Sequence, residues 1–276
     1  MNEMTQISNP PTMSLRPYQL EAKDAIIEAW QEIDKALLVL PTGTGKTIVF
    51  CKLVEELVAE GKRVLILAHR GELLDQAADK MRAATGLECA VEKAEDRALE
   101  SWYRITVGSV QTMMRESRLK EFPPDWYDVI IVDEAHHILA DSYMRVVDYF
   151  ADAKLLGVTA TPDRGDMREL GTVFEKLAYE YTLPQAIKDG YLVKIRALTI
   201  PLKLDMTGVK QTAGDYSLSG VGSALDPYLD QIASEMVEHC RGRKTVVFLP
   251  LIATSQKMRS LLAEKGLRAA EVNGES

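Results

Sequence analysis

The sequence predicts an α/β fold in which a parallel β-sheet lies between layers of helix. Short apolar runs alternate along the chain with stretches of helical periodicity, the pattern of strands joined by helical crossovers. Three of those runs are followed by Lys46, Asp133 and Thr159. One parallel sheet would carry all three to the edge formed by the C-terminal ends of its strands, where ligands bind in open α/β sheets.

Residues 1–14 are polar and carry Pro10-Pro11. They lack the basic segment and apolar run of a secretory signal, so a loose tail is expected. A first domain is expected over residues 15–200, with strands at 36–40, 64–68, 105–107, 129–132 and 155–158. Between them, Ile48, Val49, Leu53, Val54, Leu57 and Val58 recur at helical spacing, as do Leu73, Leu74, Ala77, Ala78 and Met81. The parallel connections should be right-handed. From about Tyr181 the pattern loosens. Residues 201–244 read as a linker or irregular segment, rich in Gly, Ser, Thr and Asp over 201–227 and closing with a helix over 229–239. Residues 245–276 read as one βαβ unit: strands at 245–249 and 268–272 flank a helix at 253–264. One such unit cannot bury its own core, so it is expected to be the incomplete start of a second domain.

Apolar residues make up 46% of the 276 and charged residues 27%, as in ordinary soluble domains. No apolar run approaches the roughly 18 residues that a membrane span needs, so no membrane partner is expected. Cys51, Cys89 and Cys240 are far apart and odd in number, which excludes a zinc spacing and a disulfide framework. A reducing, cytoplasmic location fits them. The formal net charge of −8 means that any nucleic-acid site is a local patch.

The strongest local signal is Pro41-Thr42-Gly43-Thr44-Gly45-Lys46-Thr47, placed after a strand and before a helix. Glycines there let backbone amides turn inward around phosphate oxygens, and the helix N-terminus adds positive potential. Lys46 would neutralise the β- and γ-phosphates of ATP, and the Thr47 hydroxyl would ligate Mg²⁺. The strict phosphate-loop pattern is not met, because Leu40 stands where a first glycine belongs.

A second signal runs from Tyr127 to His136, an apolar strand ending in Asp133 and Glu134. Asp133 can hold the magnesium, and Glu134 can orient or deprotonate the attacking water. His136 and His137 lack a third ligand at metal spacing. A link between the nucleotide and a nucleic-acid face is the expected role of His136, and none is assigned to His137.

Together, PTGTGKT, DEAH and Thr159-Ala160-Thr161 resemble the motifs of superfamily 2 helicases of the DEAH type, which have two RecA-like domains. The fuller strings, DEAHH from Asp133 and TATPDR from Thr159 to Arg164, resemble the RadD and type I and III restriction-motor branch. The resemblance covers about residues 15–276 and implies an ATP-dependent helicase or translocase. It implies further roles. Arg16 and Gln19, within Leu15-Arg16-Pro17-Tyr18-Gln19, match the adenine-recognition segment. Arg70, Ser109 and Thr112 match the strand-tracking motifs, and Thr159 and Thr161 the motif coupling hydrolysis to movement. The expected partner is nucleic acid without sequence preference, DNA ahead of RNA.

In that family the second domain supplies arginines that reach the γ-phosphate, and no such motif is found up to Ser276. The alternative reading is therefore a nucleotide- and nucleic-acid-binding fragment with little turnover until a missing segment or a partner completes it. A third reading, an unrelated phosphate-loop kinase or transporter ATPase, would require a kinase lid or a transporter signature, and neither is found. Unwinding and translocation without unwinding are not separated by these motifs.

Overall fold

The computed structural model describes residues 14–274 except His69, Arg70, Glu95, Thr161, Asp163, Lys203, Gly208, Ala213 and Gly214; the side chains of Gly71, Glu72, Leu73, Arg164, Thr212 and Asp215 are also set aside. The chain divides into two compact units, Met1–Lys194 and Ile195–Ser276.

In the first unit, helix α1 (Pro17–Ala29) opens with proline, whose missing N–H costs nothing in a first turn. Then come β1 (Lys35–Val39), α2 (Lys46–Ala59), β2 (Val64–Ala68), α3 (Gly71–Thr85), β3 (Ala90–Glu92), β4 (Ile105–Ser109), α4 (Val110–Met113) and α5 (Glu116–Leu119). They are followed by β5 (Val129–Asp133), α6 (Asp141–Tyr149), β6 (Lys154–Thr159), α7 (Arg164–Leu170), β7 (Lys176–Glu180) and α8 (Leu183–Lys188). The seven strands form one sheet in the order β3-β4-β2-β5-β6-β1-β7, with every pairing parallel.

The strands read as continuous apolar runs because both faces of the sheet are covered. Leu38, Ile66, Ile131 and Leu156 point to one face, where they meet Ile26 of α1, Phe50 and Leu53 of α2 and Leu74 of α3. Leu37, Leu65, Ile130 and Leu155 point to the other, against Met113, Phe122, Tyr143 and Phe150. Each such buried side chain contributes about 1.5–3 kcal/mol relative to exposure. β6 also needs Gly157, since a Cβ there would lie 2.2 Å from the Phe174 ring.

Strands β3 and β7 were not expected. One has only three residues, and the other is largely exposed, so neither shows a continuous apolar run. The five expected strands all form. β5, β6 and β1 are neighbours, with Asp133 paired to Val158 and Val39 to Thr159.

The second unit holds a two-residue hairpin, β8 (Gln211–Thr212) with β9 (Asp215–Tyr216), and helices α9 (Leu218–Leu225), α10 (Leu229–Cys240) and α11 (Ile252–Glu264). Its small core contains Leu229, Ala233, Met258 and Leu262. Two expectations are corrected here. Residues 245–249 and 268–272 are not strands. A strand is stabilised by its ladder, and among the described residues neither segment has a neighbouring strand to pair with. Val246, Phe248 and Val272 are accordingly exposed. No helix among the described residues is long and apolar enough to cross a membrane.

Candidate active site

The loop after β1 is fixed at both ends. Leu40 N–H donates to the Thr159 carbonyl at 3.1 Å, which ties the loop's entry to β6. Gly43 and Gly45 sit at φ +87° and +84°, backbone that disfavours any side chain. Thr44 is fully buried, and its hydroxyl donates to the Pro41 carbonyl at 2.6 Å. Its side chain therefore braces the loop, while Thr42, Gly43, Gly45, Lys46 and Thr47 line the cleft above it.

The expected adenine-recognition segment lies beside this loop and outside the cleft lining. Tyr18 OH and Gln19 Nε2 both donate to the Thr44 carbonyl, at 2.6 and 2.8 Å. Gln19 Oε1 accepts the Arg16 N–H at 2.9 Å, so the Gln19 amide is engaged at both ends. A Cβ at position 45 would come within 2.5 Å of Gln19 Nε2. Tyr18 stacks on Tyr181, and the Arg16 guanidinium lies 5.0 Å from the centre of the Tyr191 ring.

Facing the loop are the two acids at the end of β5. Burial, and then the negative charge of Glu134, push the Asp133 carboxyl above its usual range; the Glu134 N–H at 3.0 Å, Lys46 and Lys80 oppose that shift. Glu134 adopts left-handed backbone, φ 56° and ψ 55°, which costs a non-glycine residue about 1–2 kcal/mol. Its carboxylate oxygens lie 4.0 Å from Lys46 Nζ and 3.5 Å from His136 Nδ1. The His136 and His137 rings lie side by side, 4.0 Å between centres.

The loop residues and Asp133, Glu134, His137, Gln76 and Lys80 line a cleft of about 830 Å³, and His136 is not among its lining residues. Thr47 and Asp133 put a hydroxyl and a carboxylate in one cleft, the hard oxygen donors that Mg²⁺ requires. The arrangement can neutralise a polyphosphate, hold a divalent cation and present a base to a water. Gln76 and Lys80 were missed in the sequence. Their only signal is the i, i+4 spacing that sets them beside the apolar stripe of α3.

The expected strand contacts divide differently. Ser109 ends β4, next to β2, and Thr112 lies in α4 just after it, but they are only 6% and 5% exposed. The Ser109 hydroxyl donates to Gln111 Oε1 at 2.9 Å, and Thr112 Oγ1 accepts the Ala94 N–H at 3.2 Å. Both hydroxyls are thus engaged within the fold. Thr159 is buried at the end of β6. Arg70 and Thr161 lie outside the described residues, as does the side chain of Arg164, which opens α7.

Comparison with known proteins places the chain in a family and a fold. Residues 12–164 match the family described as type III restriction enzyme, res subunit. The endonuclease subunit of the type I restriction enzyme EcoAI from Escherichia coli is 31% identical over 90% of the chain and 34% of its own length. The DNA 3'-5' translocase XPB2 of Sulfurisphaera tokodaii is 29% identical over 77% of the chain and 47% of its own length. Among solved structures, a fragment assigned as the HsdR subunit of a type I restriction enzyme from Vibrio vulnificus superposes with a TM-score of 0.66. It has 24% identity and covers 93% of this chain and 46% of that one. The fold is that of RecA-like helicase domains. The chain spans about a third to a half of the length of these curated relatives.

Proposed function

Because the chain belongs to the family of the type III restriction enzyme res subunit, we propose that it is the ATP-binding part of a nucleic-acid motor, a superfamily 2 helicase or translocase. The observation that carries this reading is the meeting of Lys46, Thr47, Asp133 and Glu134 in one cleft, beyond the ends of β1 and β5, parallel strands with β6 between them. Lys46 and the loop amides would hold the triphosphate of ATP, and Thr47 and Asp133 would hold Mg²⁺. Glu134 would take a proton from a water as that water attacks the γ-phosphorus. The bond between the γ-phosphorus and the β–γ bridging oxygen then breaks, and ADP and inorganic phosphate result. Gln19 would read the adenine edge after exchanging one of its present amide contacts. Arg70 and the β4 end around Ser109 and Thr112 would meet a nucleic-acid backbone, DNA ahead of RNA and without sequence preference. Thr159 and Thr161 would couple hydrolysis to movement, in the cytoplasm.

The test is titration with a fluorescent ATP analogue, with and without Mg²⁺. Lys46→Ala should weaken binding sharply, and Thr47→Ala should weaken Mg²⁺-dependent binding more than Mg²⁺-free binding. Unchanged affinity in Lys46→Ala would sink the reading.

One observation favours a second reading, a nucleotide- and nucleic-acid-binding fragment with little turnover of its own. Among the described residues no arginine lines the cleft, and such an arginine contributes roughly 10³–10⁵ in rate where it occurs. Phosphate release by the chain should then be barely detectable and unresponsive to single-stranded DNA or RNA. Robust stimulated turnover would reject this second reading.

A further inference from the structure

Two residues of α3, Gln76 and Lys80, line the same cleft as the phosphate loop's own lysine. They are one helical turn apart, so their side chains share a face. Around them the wall is apolar, formed by Ile66 and Ala68 of β2 and by Ala77. Among the described residues neither Gln76 nor Lys80 has a hydrogen-bond or ion-pair partner, whereas Lys46 has Glu134 at 4.0 Å. An unpaired cation and an unpaired amide on an otherwise apolar wall form an anion-recognition pair. Arg16, Tyr18 and Gln19 do not line this cleft. In the sheet, β5 with Asp133 stands between β2, which leads into α3, and β1, which leads into the phosphate loop.

We propose that Gln76 and Lys80 form a subsite for inorganic phosphate, the product that leaves the reaction, in the part of the cleft that α3 lines. The proposal rests on the nucleotide reading of the same cleft. Lys80 supplies a point charge and Gln76 an N–H donor. Asp133 and Glu134 repel the dianion, so phosphate needs a cation beyond them to remain bound once the β–γ bond has broken. The subsite lets phosphate move off the loop while ADP still holds it, and so separates the release of the two products.

The experiment is calorimetric titration of inorganic phosphate into the full 276-residue chain saturated with ADP and Mg²⁺, for wild type, Lys80→Met, Lys80→Arg and Gln76→Leu. Direct ADP titration of each is run alongside. Wild type should bind phosphate, and Lys80→Met should lose about tenfold or more in that affinity, the worth of a charged hydrogen bond. Gln76→Leu should lose less, Lys80→Arg should recover most of the loss, and ADP affinity should stay unchanged throughout. Lys80 is exposed, so these variants should keep the wild-type melting temperature. If ADP binds normally and Lys80→Met binds phosphate as wild type does, the subsite is wrong and the nucleotide reading stands. If wild type binds neither ADP nor ATP, the nucleotide reading falls and the subsite with it.

Discussion

Glu134 Oε1 lies 4.0 Å from Lys46 Nζ, so the acidic pair and the phosphate loop face each other across the cleft. The Glu134 side chain is 45% exposed, and ion pairs of that kind contribute only about 0–1 kcal/mol. Lys46 can therefore exchange Glu134 for a phosphate at little cost. Glu134→Gln should leave the affinity for an ATP analogue little changed. In any assembly that turns ATP over, it should lower the rate by about 10²–10⁴, the range of a lost general base. Wild-type turnover in that variant would remove Glu134 from the mechanism.

The Asp133 carboxyl, raised by burial and by Glu134, gives a stability prediction with a definite sign. A carboxyl whose folded pKa exceeds its unfolded value binds its proton more tightly in the native state. Its charge opposes folding, a penalty absent below the ordinary carboxylate range and fully present above the raised one. Asp133→Asn should therefore raise the melting temperature of the nucleotide-free protein at neutral pH, by an amount that shrinks as pH falls toward that range. The same variant should lose Mg²⁺-dependent tightening of nucleotide binding. A variant less stable than wild type at pH 7, or equally responsive to Mg²⁺, contradicts this account.

Gly45 tests the bond between α1 and the loop. Alanine there must adopt φ +84° and place its Cβ 2.5 Å from Gln19 Nε2. The backbone alone costs about 1–2 kcal/mol. Relief of the clash would break the Gln19 bond to Thr44. Gly45→Ala should lower both stability and nucleotide affinity, and Gln19→Ala should restore part of the stability by removing the clash. Equal effects of Gly45→Ala in wild-type and Gln19→Ala backgrounds would show that the two residues are not coupled.

The parts of the fold that were legible in the sequence are those set by local pattern. Asp133 could be placed because a buried strand ending in two acids reports its own position, and Lys46 because glycines and a helix start surround it. Lys80 could not, since its facing depends on how α3 docks over β2. Segment 245–249 shows the limit of composition: Thr245-Val246-Val247-Phe248-Leu249 has strand propensity but no partner strand among the described residues. The burial of Thr112 is not legible in the sequence, because the group that engages its hydroxyl, the Ala94 N–H, comes from a segment 18 residues away.

That turn is the subject of the last prediction. Arg118, 8% exposed, pairs with Glu92, 1% exposed, and donates to the carbonyls of Ala94 and Asp96. Glu92 Oε2 also accepts the Ala98 N–H at 2.6 Å. The clamp holds Ala94 at φ 48°, from where its N–H reaches Thr112 in α4. Removing one partner leaves a buried charge, so Arg118→Ala should cost about 3–5 kcal/mol. Arg118→Lys should recover little, because one ammonium cannot reproduce a planar fork serving three acceptors. Thr112→Val should cost about 1–3 kcal/mol by orphaning the Ala94 N–H. Ala94→Gly should move the other way, stabilising or neutral, because glycine adopts this backbone without strain. Urea unfolding of the four variants checks the set. A destabilising Ala94→Gly, or an Arg118→Ala within 1 kcal/mol of wild type, would show that the clamp does not hold the turn.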